Sequence, residues 1–107
     1  MSSRVFFEPV KTLAFGDISG AYASVGAATT HEVRLVCITN NTEGDMYFTT
    51  NTAQDEMFIA AGSFKLFDLQ ANREKDAEKF VLEVGTQFSV KQIEAPTSGS
   101  VYVECIY

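Results

Sequence analysis

Glu32-Val33-Arg34-Leu35-Val36-Cys37-Ile38 is followed by Thr39-Asn40-Asn41-Thr42-Glu43-Gly44-Asp45 and then by Met46-Tyr47-Phe48-Thr49-Thr50. In the first of these segments Val33, Leu35 and Cys37 alternate with Arg34, Val36 and Ile38. That period of two makes one face apolar and the other mixed, as expected of a strand buried over most of its length. The second segment is a dense cluster of turn formers. The third is apolar and aromatic again, so the three together read as a β-hairpin with a longer loop.

The same alternation continues downstream. A polar loop at 51–56 leads to the short apolar run 57–60, and Ala61-Gly62 supplies a turn. Residues 63–69 form a strand with Phe64 and Leu66 on one face and Phe67 and Leu69 on the other. Residues 70–79 carry Arg73, Glu74, Lys75, Asp76, Glu78 and Lys79, and read either as a charged solvated loop or as a short helical turn. Further strands are expected at 80–84, ended by Gly85, and at 86–94. Pro96-Thr97-Ser98-Gly99 turns into a last strand at 100–107, where Val101, Val103, Cys105 and Tyr107 share a face. Upstream, residues 4–10 are extended and aromatic, with Pro9 favouring an edge position. Residues 16–30 are mostly Gly, Ala, Ser and Thr, with a short strand expected at 21–25.

Turn signals every eight to twelve residues, with no strand–helix–strand alternation, define the expected class as all-β. The expectation is a single antiparallel β-sandwich of seven to eight short strands, jelly-roll-like or Ig-like in outline. The chain has no Trp, and its two cysteines lie 68 positions apart, so it lacks the full immunoglobulin signature. At 107 residues and 46% hydrophobic content, one domain covers 1–107, with 1–15 a candidate extended N-terminal arm.

Eight Lys+Arg against fourteen Asp+Glu give a net charge of −6, the wrong sign for gripping a phosphate backbone. No nucleic-acid or membrane partner is expected, because no apolar run approaches the roughly 18 residues of a spanning helix. Glu8 and Pro9 interrupt any secretory leader at the N-terminus. Cys37 and Cys105 read as buried reduced thiols; a disulfide would require their strands to be neighbours. His31 reads as an exposed residue at the start of a strand, and one His with scattered carboxylates makes no metal site. No phosphate-binding glycine loop or nucleophile elbow is present. The pairs Asp55-Glu56 and Glu74/Asp76 sit in polar loops, and Asn40-Asn41-Thr42, formally a glycosylation sequon, reads as turn residues. The expectation is therefore no catalytic residue, no cofactor and no metal.

Aromatics are more abundant than one inner layer requires. Either the sheets are covered on both faces, or some of these side chains form a subunit interface. The interface candidates are Val5, Phe6, Phe7, Tyr47, Tyr102 and Tyr107, with the arm adding to a neighbour's sheet edge. An alternative use of the loops is sugar or receptor recognition through Tyr47, Asn51, Gln54 and Asp55.

Residues 34–49, with 58–64, 68–72, 85–91 and 98–103, are together similar in order and spacing to small all-β virion proteins of tailed bacteriophages. The matched pattern is a strand ending in Asn-x-Thr (Asn40-Asn41-Thr42), then an acidic residue and an outgoing strand. The resemblance spans 34–107 and leaves out the first 30 residues. It implies a non-enzymatic capsid-associated, head–tail or tail component, assembled in the host bacterial cytoplasm. Its implied partners are major capsid, portal/neck or tail proteins and further copies of itself. A receptor- or carbohydrate-binding β module at a fibre or tail tip is the alternative.

Overall fold

Apolar alternation at period two builds strands, and strands that each bury one row of side chains must stack as sheets. The computed structural model describes residues 6–51, 54–69 and 82–107. Among them run β1 (Lys11–Ala14), β2 (Ala23–Ser24), β3 (Leu35–Thr42), β4 (Met46–Thr50), β5 (Met57–Ile59), β6 (Phe64–Asp68), β7 (Phe88–Gln92) and β8 (Gly99–Ile106). A single 3-10 turn, Phe15–Asp17, follows β1. The first sheet has the order β1-β8-β3-β6 and the second β2-β7-β4-β5, with every pairing antiparallel. The protein is a β-sandwich.

Its core lies between the sheets. Val36 and Ile38 of β3 and Val101, Val103 and Cys105 of β8 face Met46, Phe48, Ile59, Phe88 and Val90 of the second sheet. Ile18, Val25 and Val33 fill in from the connecting segments. Burying a side chain the size of Phe48 or Phe88 stabilises the fold by about 2–3 kcal/mol.

Four features differ from the sequence reading. First, β3 and β4 are not a paired hairpin: they belong to different sheets, and residues 43–45 carry the chain across the sandwich. Second, β3 runs on through Asn40, Asn41 and Thr42, which pair with Val101, Ser100 and Gly99 of β8. Third, the inward row of β3 is Val36, Ile38, Asn40 and Thr42, not Leu35 and Cys37. A bulge explains this. The Arg34 N–H donates to the Ile106 carbonyl although Ile106 is the register partner of Leu35, so two residues oppose one and the phase shifts after Val33. Fourth, of the strand expected at 80–84, Leu82 forms only a bridge to Val33 and the chain turns at Val84-Gly85. Phe80, Val81 and the segment 70–79 lie outside the described residues.

The described part of the arm pairs with its own chain. Phe6 and Tyr107 exchange backbone hydrogen bonds, and the Glu8 N–H donates to the Cys105 carbonyl. Phe7 opposes Ile106 and Lys11 opposes Val103, so four steps along the arm match three along β8. The extra residue is a second bulge, at Glu8-Pro9-Val10, where proline's missing N–H costs no ladder bond.

Candidate functional site

The registers place three rows of side chains across the outer face of the first sheet. One row is Phe7, Ile106, Leu35 and Asp68; the next is Glu104, Cys37 and Leu66; the third is Thr12, Tyr102, Thr39 and Phe64. Phe7 is 69% exposed, Phe64 64% and Leu66 62%, while Leu35, Cys37, Tyr102 and Ile106 are half-buried beside them. A sheet with one solvated face carries polar side chains there. Here only Glu104 and Asp68 bring charge to a face otherwise apolar or neutral.

The arm that brings Phe7 onto this face is anchored by a buried carboxylate. Glu8 Oε1 accepts from Lys11 Nζ at 3.3 Å, and Glu8 Oε2 accepts from the backbone N–H groups of Thr30 at 3.1 Å and His31 at 3.0 Å. His31 Nδ1 lies 3.2 Å from the same oxygen. Burial pushes the Glu8 carboxyl up, but these hydrogen bonds outweigh it and hold the group below the ordinary carboxylate range. The His31 ring, half-exposed, stacks on Tyr107 at 3.5 Å, and Phe6 stacks on Tyr107 at 5.5 Å. His31 therefore precedes β3 in the chain and packs against the end of β8.

The six interface candidates thus separate. Phe7 and Tyr102 share the outer face of the first sheet, Phe6 and Tyr107 stack at the arm, and Val5 lies outside the described residues. Tyr47 sits on the second sheet, opposite Phe58 and Lys91. Phe64 and Leu66 were not among the candidates. Their signal was present in β6, whose alternate positions are apolar on both faces.

Cys37 and Cys105 lie on neighbouring strands, but Cys37 is in register with Glu104, so the two thiols project from opposite faces. Both are free. Cys105 faces the core, where burial pushes its thiol up to about 11; Cys37 is half-buried on the outer face rather than in the core.

On the second sheet, Lys91 Nζ stands 5.1 Å from the Tyr22 ring centre and 5.7 Å from that of Tyr47, and 2.8 Å from Asp55 Oδ1. The Tyr22 hydroxyl donates to Asp55 Oδ1 at 2.6 Å and to the Gln54 carbonyl at 3.3 Å. Hydrogen bonds from Lys91 and Tyr22 lower the Asp55 carboxyl, and burial with the Asp55 hydrogen bond raises the Tyr22 phenol. Tyr47, Gln54 and Asp55 therefore do assemble, with Lys91 between the rings. Asn51, at a left-handed φ of 52°, accepts from the Gln87 N–H instead.

No family model, curated protein or solved structure matches the chain. Among the described residues no three His, Cys, Asp or Glu side chains group as metal ligands would, and no helix is long and apolar enough to cross a membrane.

Proposed function

We propose that this chain is a non-catalytic structural subunit of a larger assembly, acting through the outer face of its first sheet. The observation that supports this is the bare apolar surface at Phe7, Phe64 and Leu66. At about 200 Å² per aromatic side chain, these three expose roughly 350 Å². That is within the range of the largest apolar patch on an ordinary monomer, which is often functional, and Leu35, Cys37, Tyr102 and Ile106 extend it. With the resemblance to small tailed-phage proteins, its specific form is a virion component, either a capsid decoration protein or a member of a neck or tail ring. Its partners are then major capsid, portal/neck or tail proteins and further copies of itself, organised by closed symmetry.

Mass spectrometry of purified particles tests this directly. A copy number scaling with the capsid lattice identifies a decoration protein, and a small fixed count identifies a ring. Absence from clean particles refutes the virion form.

The cluster of Tyr22, Tyr47, Asp55 and Lys91 favours a second reading, a carbohydrate-binding module using aromatic and hydrogen-bonding groups. Glycan binding that disappears in Tyr47→Ala would support it. Lys91, which already covers both rings, weighs against it.

A further inference from the structure

Among the described residues, four strands form the edges of the two sheets: β1, β6, β2 and β5. They are four, five, two and three residues long, so β6 is the longest. β1 is preceded by the bulge at Glu8-Pro9-Val10, a common device for blunting an edge. β6 has neither bulge nor proline, and no strand among the described residues pairs with its far side. The Asn40 N–H donates to the Ser63 carbonyl, which fixes the odd-numbered positions of this strand toward β3. By alternation, the N–H and C=O groups of Phe64 and Leu66 point outward. The same two residues expose their side chains. An edge that offers main-chain donors, acceptors and apolar side chains together fits an extended strand as occupant.

We propose that this occupant is β6 of a second copy, paired antiparallel about a two-fold axis at Leu66, so that two first sheets join into one of eight strands. This deepens the assembly role proposed above and rests on it. One observation favours a second copy, and the geometry of the pair follows from it. The chain carries a net charge of −6, yet β6 holds one Lys65 and one Asp68 and is neutral, so two copies meet without local repulsion. Centring on Leu66 sets leucine against leucine and Lys65 against Phe67, whereas centring on Lys65 sets two ammonium groups opposite each other. An axis at this position also keeps both outer faces on the same side, making the apolar surface continuous across the pair.

Phe64 and Leu66 expose roughly 230 Å² per copy, well short of the ~800 Å² per partner of a standard interface. The dimer is accordingly weak and concentration-dependent.

The test is analytical ultracentrifugation of the full chain from low to high micromolar concentration, alongside three variants checked by circular dichroism. Leu66→Pro removes an outward N–H that has no backbone partner among the described residues. Leu66→Lys sets two like charges across the axis. Phe7→Ser strips the same outer face three strands away. A wild-type dimer weakened about tenfold or more by both Leu66 variants, and unchanged by Phe7→Ser, is the expected result. If Phe7→Ser dissociates it equally, the sheets associate face to face; that overturns edge pairing and leaves the assembly role standing. A wild type that stays monomeric throughout refutes self-pairing and assigns the face to a different protein. If Leu66→Pro does not fold, Leu66→Lys carries the comparison.

Discussion

Asn40 makes the sharpest stability test, because a polar side chain with no solvent exposure must justify its burial by its hydrogen bonds. Its Nδ2 donates to the Gly44 carbonyl at 2.8 Å and to the Ile59 carbonyl at 3.0 Å. Its Oδ1 accepts from the Thr42 hydroxyl at 2.7 Å and from the Thr42 N–H at 3.2 Å. One side chain thus ties β3 to the crossing turn and to β5 in the opposite sheet. In Asn40→Ala, the Thr42 hydroxyl, 3.1 Å from the Gly44 carbonyl, keeps that oxygen bonded. The Ile59 carbonyl loses its side-chain donor but keeps the Met46 N–H that the β4–β5 register sets against it, and the Thr42 N–H is left without its partner. At about 1–2 kcal/mol for the stranded Thr42 N–H and about 1 kcal/mol for the lost bond to β5, the variant should lose about 2–3 kcal/mol, or on the order of 10–15 °C in midpoint. Asn40→Asp should cost more at neutral pH, since a carboxylate would face two carbonyl oxygens. Burial raises the pKa of such a group, so the fold regains stability as pH falls and loses it as pH rises above the unfolded-state value of about 4. Urea titration followed by tyrosine fluorescence, in a chain without Trp, measures both variants. A loss below about 1 kcal/mol for Asn40→Ala, or an Asp variant no worse than Ala at pH 7, would refute the reasoning.

Other expectations follow from the same geometry. Because the Glu8 carboxyl is held below its ordinary value, its contribution is present above the unfolded pKa near 4.5 and is lost as pH falls through the lowered folded value. Glu8→Gln strands buried Lys11, should cost about 2–4 kcal/mol, and should flatten the acid limb of a stability–pH curve. Glu43 accepts from the backbone N–H groups of Thr97 and Ser98 and from the Ser98 hydroxyl, which pull its carboxyl down to about 2. A carboxyl NMR titration with a midpoint near 4 would show that this turn clamp does not form in solution. Gly99 stands at φ +90°, and a Cβ there would run into the Asn41 carbonyl, so Gly99→Ala should lose at least about 2 kcal/mol in the same denaturation assay.

The sandwich class was legible because period-two patterning survives in β4, β6, β7 and β8 without interruption. Two local events were not legible. The bulge at Arg34-Leu35 inserts a residue whose only trace is that Val33 and Val36, three apart, are both buried. Nothing in side-chain chemistry distinguishes that from regular alternation, so the face of β3 was assigned one residue out of phase. Asn40-Asn41-Thr42 has turn-forming composition, but its place in β3, with Asn40 and Thr42 buried and Asn41 exposed, is set by partners far along the chain, Ile59 and Gly99 among them. Tertiary hydrogen bonding overrides local preference there. The outer-face residues were half visible. Phe7 and Tyr102 stood out as surplus aromatics, whereas Phe64 and Leu66 became significant only once β6 was known to be an edge.

The asymmetry between the two outer faces is what gives the first sheet its meaning. On the second sheet, Tyr22 and Tyr47 are engaged by Lys91, Lys91 by Asp55, and Ser89 and Thr49 sit in register, so polar contacts fill the middle of that surface and leave Phe58, on the edge strand, 43% exposed. On the first sheet, the central strands β3 and β8 are apolar on both sides, Val36 and Ile38 inward against Leu35 and Cys37 outward, Val101 and Val103 inward against Tyr102 and Ile106 outward. Two-sided burial of a sheet requires a second layer. The core supplies one layer, and the described chain leaves the other face to neighbours. Glu104, set among Cys37, Leu66 and Tyr102, is the position that discriminates among them: a partner must answer its charge or exclude it from the contact. Glu104→Lys should therefore alter partner choice while leaving the fold's stability nearly unchanged, because its side chain is exposed. Equal binding by the wild type and Glu104→Lys would place the true contact elsewhere on the molecule.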